Sequence, residues 1–317
     1  MSNLELMQPQ QVFNRPGVSG GARLRRLARS LGLAAALLPL AAPRAAAAGA
    51  GNVLVVVSGV HQLDLKDGKK YDTGFYLDEL VVPVRKLMAA GFTPVYASPD
   101  GEAPTFDKFS ADKQFFGDSE EERSAALRFV AQTPQLAHPK RLSDVARQGT
   151  NDYVALFIPG GHAPMQDLAV NRDLGKILMA FHSSGRPTAV ICHGPSALLS
   201  ALPDPVAFRQ AMVAGDFMGA SKVAAGWPYA GYRLTVFSTS EEHFLEGQKN
   251  QLGGFLQYQA ADALAQAGAH VDRVAVFQPN VVIDRELVSG EQPFSSDAIG
   301  DALIGQIRAY KARGEHR

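Results

Sequence analysis

The chain holds a single thiol, Cys192, and the next residue is His193. A thiolate is a strong nucleophile, and a neighbouring imidazole is the usual group to take its proton. Residues 188–199 read Thr-Ala-Val-Ile-Cys-His-Gly-Pro-Ser-Ala-Leu-Leu, so a β-branched apolar run passes directly into a Gly-Pro step. Gly194 permits a tight turn and Pro195 suits the first position of a helix. Cys192 is therefore placed at the carboxyl end of a buried strand and ahead of a helix, where α/β sheets bind ligands. Unpaired N–H groups at a helix start favour an anion, which predicts a lowered thiol pKa. The arrangement is that of the serine nucleophile elbow with sulfur in place of oxygen. The alternative, an inert buried cysteine, requires neither the turn nor the polar neighbour.

Pro159-Gly160-Gly161-His162 follows a second apolar run. Two glycines leave backbone N–H groups uncovered, as an oxyanion pocket requires. One β-α unit separates this turn from Cys192, so Gly160, Gly161 and His162 are candidates for holding substrate oxygen. An imidazole that serves a thiol also needs a group to orient it, most often a carboxylate. Glu241 and Glu242 follow the apolar segment 234–238, but taken alone they read as solvated or helix-capping acids. Glu79 lies off the apolar stripe of its own segment, which makes an exposed charge the default. Pro83, four residues on, suggests a helix starting near Glu79, at the same edge as the other candidates.

Strands and helices must alternate to bring these residues together. Residues 52–58 and 92–98 read as buried strands, with a helix over 77–90 between them, since its apolar residues recur at helical spacing. Ser119 and Glu122 form a capping-box pattern that opens a helix to about residue 131. Strands follow at 153–158 and 188–191, with a helix at 171–183 between them. Further strands are predicted at 234–238, 274–277 and 281–284, and helices at 254–267 and 296–310. Such alternation implies a mostly parallel sheet covered on both faces, in one domain over residues 49–317.

Residues 1–48 are a different object. Arg23, Arg25, Arg26 and Arg29 precede an apolar stretch over 31–42, and small residues close it at 45–48. This is the plan of a signal peptide with a disordered leader, and the stretch is too short to span a bilayer. Export to the periplasm is expected, by the general or the twin-arginine route, with a cytoplasmic chain carrying an Ala-rich leader as the alternative. One cysteine makes no internal disulfide. Lys and Arg total 31, as do Asp and Glu. A neutral chain without a basic, aromatic-rich block offers nothing for nucleic acid, nor, after export, for a membrane surface.

Five blocks in order, Thr73-Gly-Phe-Tyr-Leu-Asp-Glu79, Phe157-Ile-Pro-Gly-Gly-His162, Ala189-Val-Ile-Cys-His-Gly-Pro195, Phe237-Ser-Thr-Ser-Glu-Glu242 and Val281-Val-Ile-Asp284, resemble the DJ-1/PfpI superfamily, most closely its Hsp31-like branch. The resemblance implies a flavodoxin-like three-layer α/β sandwich. It also implies Cys192 as nucleophile, His193 as its partner, Glu242 as the triad acid and Glu79 as the carboxylate touching sulfur. Backbone N–H groups of Gly161 and His193 would form the oxyanion hole. The implied activity is glutathione-independent conversion of methylglyoxal, a small aldehyde, to lactate. A cysteine peptidase or amidase, and a holdase or redox stress protein, are the alternatives within the superfamily. Some relatives bind a metal through a histidine three residues before the position of Glu79. Tyr76 stands there in this chain, so neither a metal nor another cofactor is expected. A homodimer is the implied assembly.

Overall fold

A computed structural model of the chain describes residues 49–315; the leader over 1–48, and with it the export assignment, lies outside the described residues. The strands are β1 (Gly51–Val56), β2 (Gln62–Asp64), β3 (Lys70–Asp72), β4 (Phe92–Ser98), β5 (Lys140–Arg141), β6 (Tyr153–Ile158), β7 (Thr188–Ile191), β8 (Arg233–Leu234), β9 (His270–Val271), β10 (Val281–Asp284) and β11 (Leu287–Gly290). The helices used below are α1 (Leu77–Ala89), α2 (Glu120–Ala131), α3 (Arg172–Ser184), α4 (Thr239–Leu245), α5 (Ala260–Ala267) and α6 (Ser296–Glu315).

Seven strands form one sheet in the order β10-β11-β7-β6-β1-β4-β5. All neighbours run parallel except β10 and β11. The central strands are continuous apolar runs because both of their faces are covered. Successive residues alternate between the faces. Leu54, Val56, Leu156, Ile158 and Val190 join one cluster with Leu174, Ile177, Leu178 and Phe181 of α3. Across the sheet, α1 packs on α6, and α6 lies against β7 and β11. This is the three-layer α/β sandwich that the alternating pattern predicts. The chain builds outward from β1 to β4 and β5, then returns to add β6, β7 and β11 on the other side. The reversal between β1 and β6 is where the carboxyl ends of parallel strands open a crevice.

Several expectations need correction. Residues 234–238 are not a sheet strand: only Arg233–Leu234 is, paired with β9 outside the main sheet. Beyond it the segment bonds otherwise, Thr235 N–H donating to the Ser289 hydroxyl and Phe237 N–H to the Cys192 carbonyl. No strand forms at 274–277, where Phe277 has φ +58° and its N–H donates to Glu241. The helix expected over 254–267 is α5, which starts only at Ala260. Helix α1 begins at Leu77, so Pro83 sits inside it. Lacking an N–H, Pro83 cannot bond the carbonyl of Glu79 four residues back.

Candidate active site

Cys192 is the first residue past β7, and it takes φ +59°, a left-handed conformation that side chains beyond glycine rarely adopt. Two backbone bonds strap the turn: Cys192 N–H donates to Gly290, and Phe237 N–H donates to Cys192. Strain of this kind persists only where its surroundings enforce it. Sγ lies 3.3 Å from Nδ1 of His193. The Glu79 carboxyl lies beside Cys192, and the Gly161 N–H also acts on the sulfur. The residue is 3% exposed, yet its neighbours are polar rather than aliphatic.

The Gly160-Gly161 turn after β6 is shaped by close approach. A Cβ on Gly160 would lie 2.5 Å from the Ile191 carbonyl and 2.6 Å from both Cys192 Cβ and Glu79 Oε2. Gly161 has φ +85°, and a Cβ there would collide with the Gly74 carbonyl. The Gly160 N–H donates to Glu79 Oε2 at 3.0 Å. That donor therefore orients the carboxyl and is not available to a substrate oxygen, which leaves Gly161 as the turn's N–H facing the sulfur. Glu79 is fully buried on the first turns of α1, so the exposed charge expected by default is not what the fold makes of it.

Glu242 departs from its default in the same way. Ser238 caps α4, accepting from Glu241 N–H while Glu241 Oε2 accepts from Ser238 N–H, a complete capping box. Glu241 is thus the helix-capping acid, and it also receives the Phe277 N–H at 2.7 Å. With Glu241 so occupied, Glu242 turns into the site. Its Oε2 lies 2.7 Å from His193 Nε2 and its Oε1 lies 2.8 Å from His162 Nε2. The two imidazoles lie with centroids 4.1 Å apart, and Phe237 stacks on His193. All seven candidates, Cys192, His193, Glu242, Glu79, Gly160, Gly161 and His162, converge on one volume at the ends of β1, β6 and β7. His162 reaches it through its imidazole on Glu242, a partnership the sequence did not announce.

Three further groups escaped the sequence reading. Asp107, buried in the irregular stretch after β4, accepts from Tyr71 Oη at 3.0 Å and from Thr73 Oγ1 at 3.4 Å. The Tyr71 and His162 rings meet edge to face, with centroids 6.2 Å apart. Asp78, beside Glu79, accepts from the Ser296 hydroxyl at 2.8 Å. Nothing in the spacing of Asp107, Tyr71 or Asp78 marks them in the sequence.

Electrostatics follow from burial and charge. Burial raises the Cys192 thiol, and the negative charge of Glu79 raises it further, against the Gly161 N–H. This reverses the expected lowering: the segment after Cys192 is a 3-10 helix, Gly194–Ala201, with little dipole to offer against desolvation. Burial and the neighbouring Asp78 likewise raise Glu79. Cys192 and Glu79 therefore each disfavour the ionised form of the other. Burial would raise Glu242 too, but the two imidazoles overcome it and bring it down to about 2. Burial and the charge of His162 lower His193 to about 4. His162 is raised, because Glu242, Asp107 and Glu246 outweigh its burial.

His162, His193 and Glu242 offer ligand atoms within 4.8 Å of one another. The Nε2 of each histidine already meets a Glu242 oxygen at hydrogen-bond distance, so the trio is joined as a hydrogen-bonded network.

Residues 72–202 match the DJ-1/PfpI family model, a span that includes every candidate except Glu242. A protein/nucleic acid deglycase, HchA, of Staphylococcus aureus is 26% identical over 262 residues, covering 82% of this chain and 80% of the relative. The solved structure of the rapid encystment protein of Francisella tularensis superposes with a TM-score of 0.61 at 21% identity, covering 81% and 99% of the two chains. Glyoxalase III of Candida albicans superposes at 0.57 with 23% identity, covering 81% and 97%. These two share the fold. The chain thus carries a DJ-1/PfpI domain over residues 72–202 and is similar, over 82% of its length, to proteins of the superfamily's Hsp31-like branch.

Proposed function

We propose that the chain is a cysteine-dependent, glutathione-independent enzyme that converts methylglyoxal or a related 2-oxoaldehyde to the 2-hydroxy acid. The observation that carries this reading is the placement of Glu79: a buried carboxyl, held by the Gly160 N–H beside Cys192, whose sulfur His193 also meets. A peptidase needs only the thiol, the imidazole and the acid behind it. A second carboxyl beside the sulfur suits a reaction that moves hydrogen between adjacent carbons, taking it as carboxylate and returning it as acid. The low exposure of Cys192 favours a small aldehyde over a folded peptide.

The steps balance without a cofactor. The thiol adds to the aldehyde carbon, sulfur forming the C–S bond and the proton passing through His193 to the oxygen, to give a hemithioacetal. Glu79 as carboxylate removes the hydrogen from that carbon, the hydroxyl proton passes to the neighbouring carbonyl oxygen through His193 by way of the enediol, and Glu79 returns its proton to the neighbouring carbon. The first carbon is thereby oxidised and the second reduced, leaving a thioester of the 2-hydroxy acid. Water cleaves the thioester and restores the thiol.

Purified chain incubated with methylglyoxal should release lactate, and Cys192→Ala should abolish release. Glu79→Gln should lower turnover by ~10²–10⁴-fold; full activity in that variant removes the proton-transfer role, and a wild-type chain that makes no lactate removes the reading altogether. A second reading, removal of the adducts such aldehydes leave on proteins or nucleic acids, is supported by the deglycase relatives. It begins with the same nucleophile, and parallel assays on glycated peptide separate the two.

A further inference from the structure

The Cys192–His193–Glu242 arrangement needs one imidazole on its carboxylate, and this site has two. We propose that His162 is a positioning residue: by sharing the Glu242 carboxylate with His193 it makes the site a four-member relay, His162–Glu242–His193–Cys192, and fixes His193 as a neutral acceptor for the thiol proton. The inference rests on the reading of Cys192 as nucleophile.

Hydrogen bonding sets the tautomer. An ionised carboxylate only accepts, so the nitrogen facing each Glu242 oxygen must carry a hydrogen. His193 Nε2 and His162 Nε2, at 2.7 and 2.8 Å, are therefore both donors. A neutral His193 then has a bare Nδ1, and that atom is the one 3.3 Å from Sγ.

The remaining question is which ring carries charge, and the surroundings decide it. Facing His162 are Glu242 and Glu246 from α4 and its end, Asp107 from the loop after β4, Tyr71 from β3 and His193. Three of these five are acids. Among the described residues, the titratable groups facing His193 are Glu242, the Cys192 sulfur and His162 itself, with the apolar Phe237 ring stacked on it. Two imidazolium rings with centroids 4.1 Å apart repel strongly in a buried site, so a single proton is held, and it belongs on the ring with more carboxylates around it. The opposite shifts of the two histidines agree with this division. His162 Nδ1 is buried and has no hydrogen-bond partner among the described residues.

The device has a kinetic consequence. A proton arriving on His193 from the thiol meets the His162 charge alongside it, so His193 becomes a strong acid and passes the proton on to the substrate oxygen.

The test is nitrogen NMR on full-length chain with labelled histidine, read across pH. At pH 7 the wild type should show His162 doubly protonated and His193 neutral with hydrogen on Nε2 alone. His162→Gln keeps a hydrogen-bond donor but no charge. In it the His193 midpoint should rise by at least ~1 unit, and the acid limb of the lactate rate profile should move up with it. A merely structural role would lower kcat without moving that limb. Doubly protonated His193 in the wild type at pH 7 overturns the proposal, and so does an unmoved His193 midpoint in the variant. If the variant does not fold, the wild-type spectrum alone decides. A wild type that titrates as described but makes no lactate would sink the reaction while leaving the relay intact.

Discussion

Cys192 and Glu79 oppose each other's ionisation in surroundings that penalise either charge, and this gives the pair a measurable signature. The thiol, raised by burial and by Glu79, should react slowly with iodoacetamide at pH 7 and faster as the pH climbs past the ordinary thiol range. Glu79→Gln removes the opposing charge, so the thiol should ionise at lower pH and alkylation at pH 7 should accelerate by about tenfold, one pKa unit's worth. Unchanged alkylation in that variant would mean that burial alone raises the thiol. Gly160 gives a second test at this scale. Its missing Cβ is the space in which Ile191, Cys192 and Glu79 meet. Gly160→Ala should displace the sulfur from its carboxyl and lower turnover by ~10²-fold, with circular dichroism showing the fold retained. The thiol, its imidazole and the paired glycines were readable because each breaks a local pattern: a polar pair at the end of an apolar strand, two glycines at the end of another. The charges were not, since Glu79 and Glu242 look like surface acids until α1 and α4 are packed against the sheet.

Helix starts do most of the positioning at the scale of elements. The capping box of Ser238 and Glu241 sets the rotation of α4 and so aims Glu242. Ser238→Ala should cost about 1 kcal/mol in chemical denaturation and should lower kcat more than it raises KM, because the acid is displaced and the substrate pocket is not. At the start of α1, Asp78 is buried and tied to the Ser296 hydroxyl at the start of α6. Burial raises it from the usual carboxylate range to about 8. The folded chain therefore holds this proton more tightly than the unfolded chain, and the associated stability, complete below about pH 4, is lost as the pH climbs through 8. Asp78→Asn stays neutral throughout. Its melting temperature should match wild type near pH 4, exceed it progressively as the pH rises, and lead by roughly 5 °C at pH 9. The β-α alternation through residue 191 was legible because each apolar run is a ladder strand. The 234–238 run misled for a physical reason: its residues are buried, but their N–H groups go to a side chain and to the thiol turn instead of to a neighbouring strand.

The whole molecule makes a site from segments that are distant in sequence. The sheet reverses its direction of growth between β1 and β6, and Glu79, Gly160, Cys192 and Glu242 gather above that reversal although 163 positions separate the first from the last. All of them lie within the compact unit Ala50–Arg317. The unit's first residue is also anchored: Ala50 N–H donates to Gly91, and its carbonyl accepts from Lys311 on α6. A chain beginning at Gly49 keeps both bonds and every site residue. It should melt within ~2 °C of the full-length chain, a shift of under 1 kcal/mol at this size, and form lactate at an equal rate. We propose that the leader acts in export alone, so N-terminal sequencing of chain recovered from the periplasm should find a start near residue 49. Recovery of intact leader from the cytoplasm would remove the export proposal, whereas loss of activity in the shortened chain would show that residues 1–48 contribute to the enzyme itself.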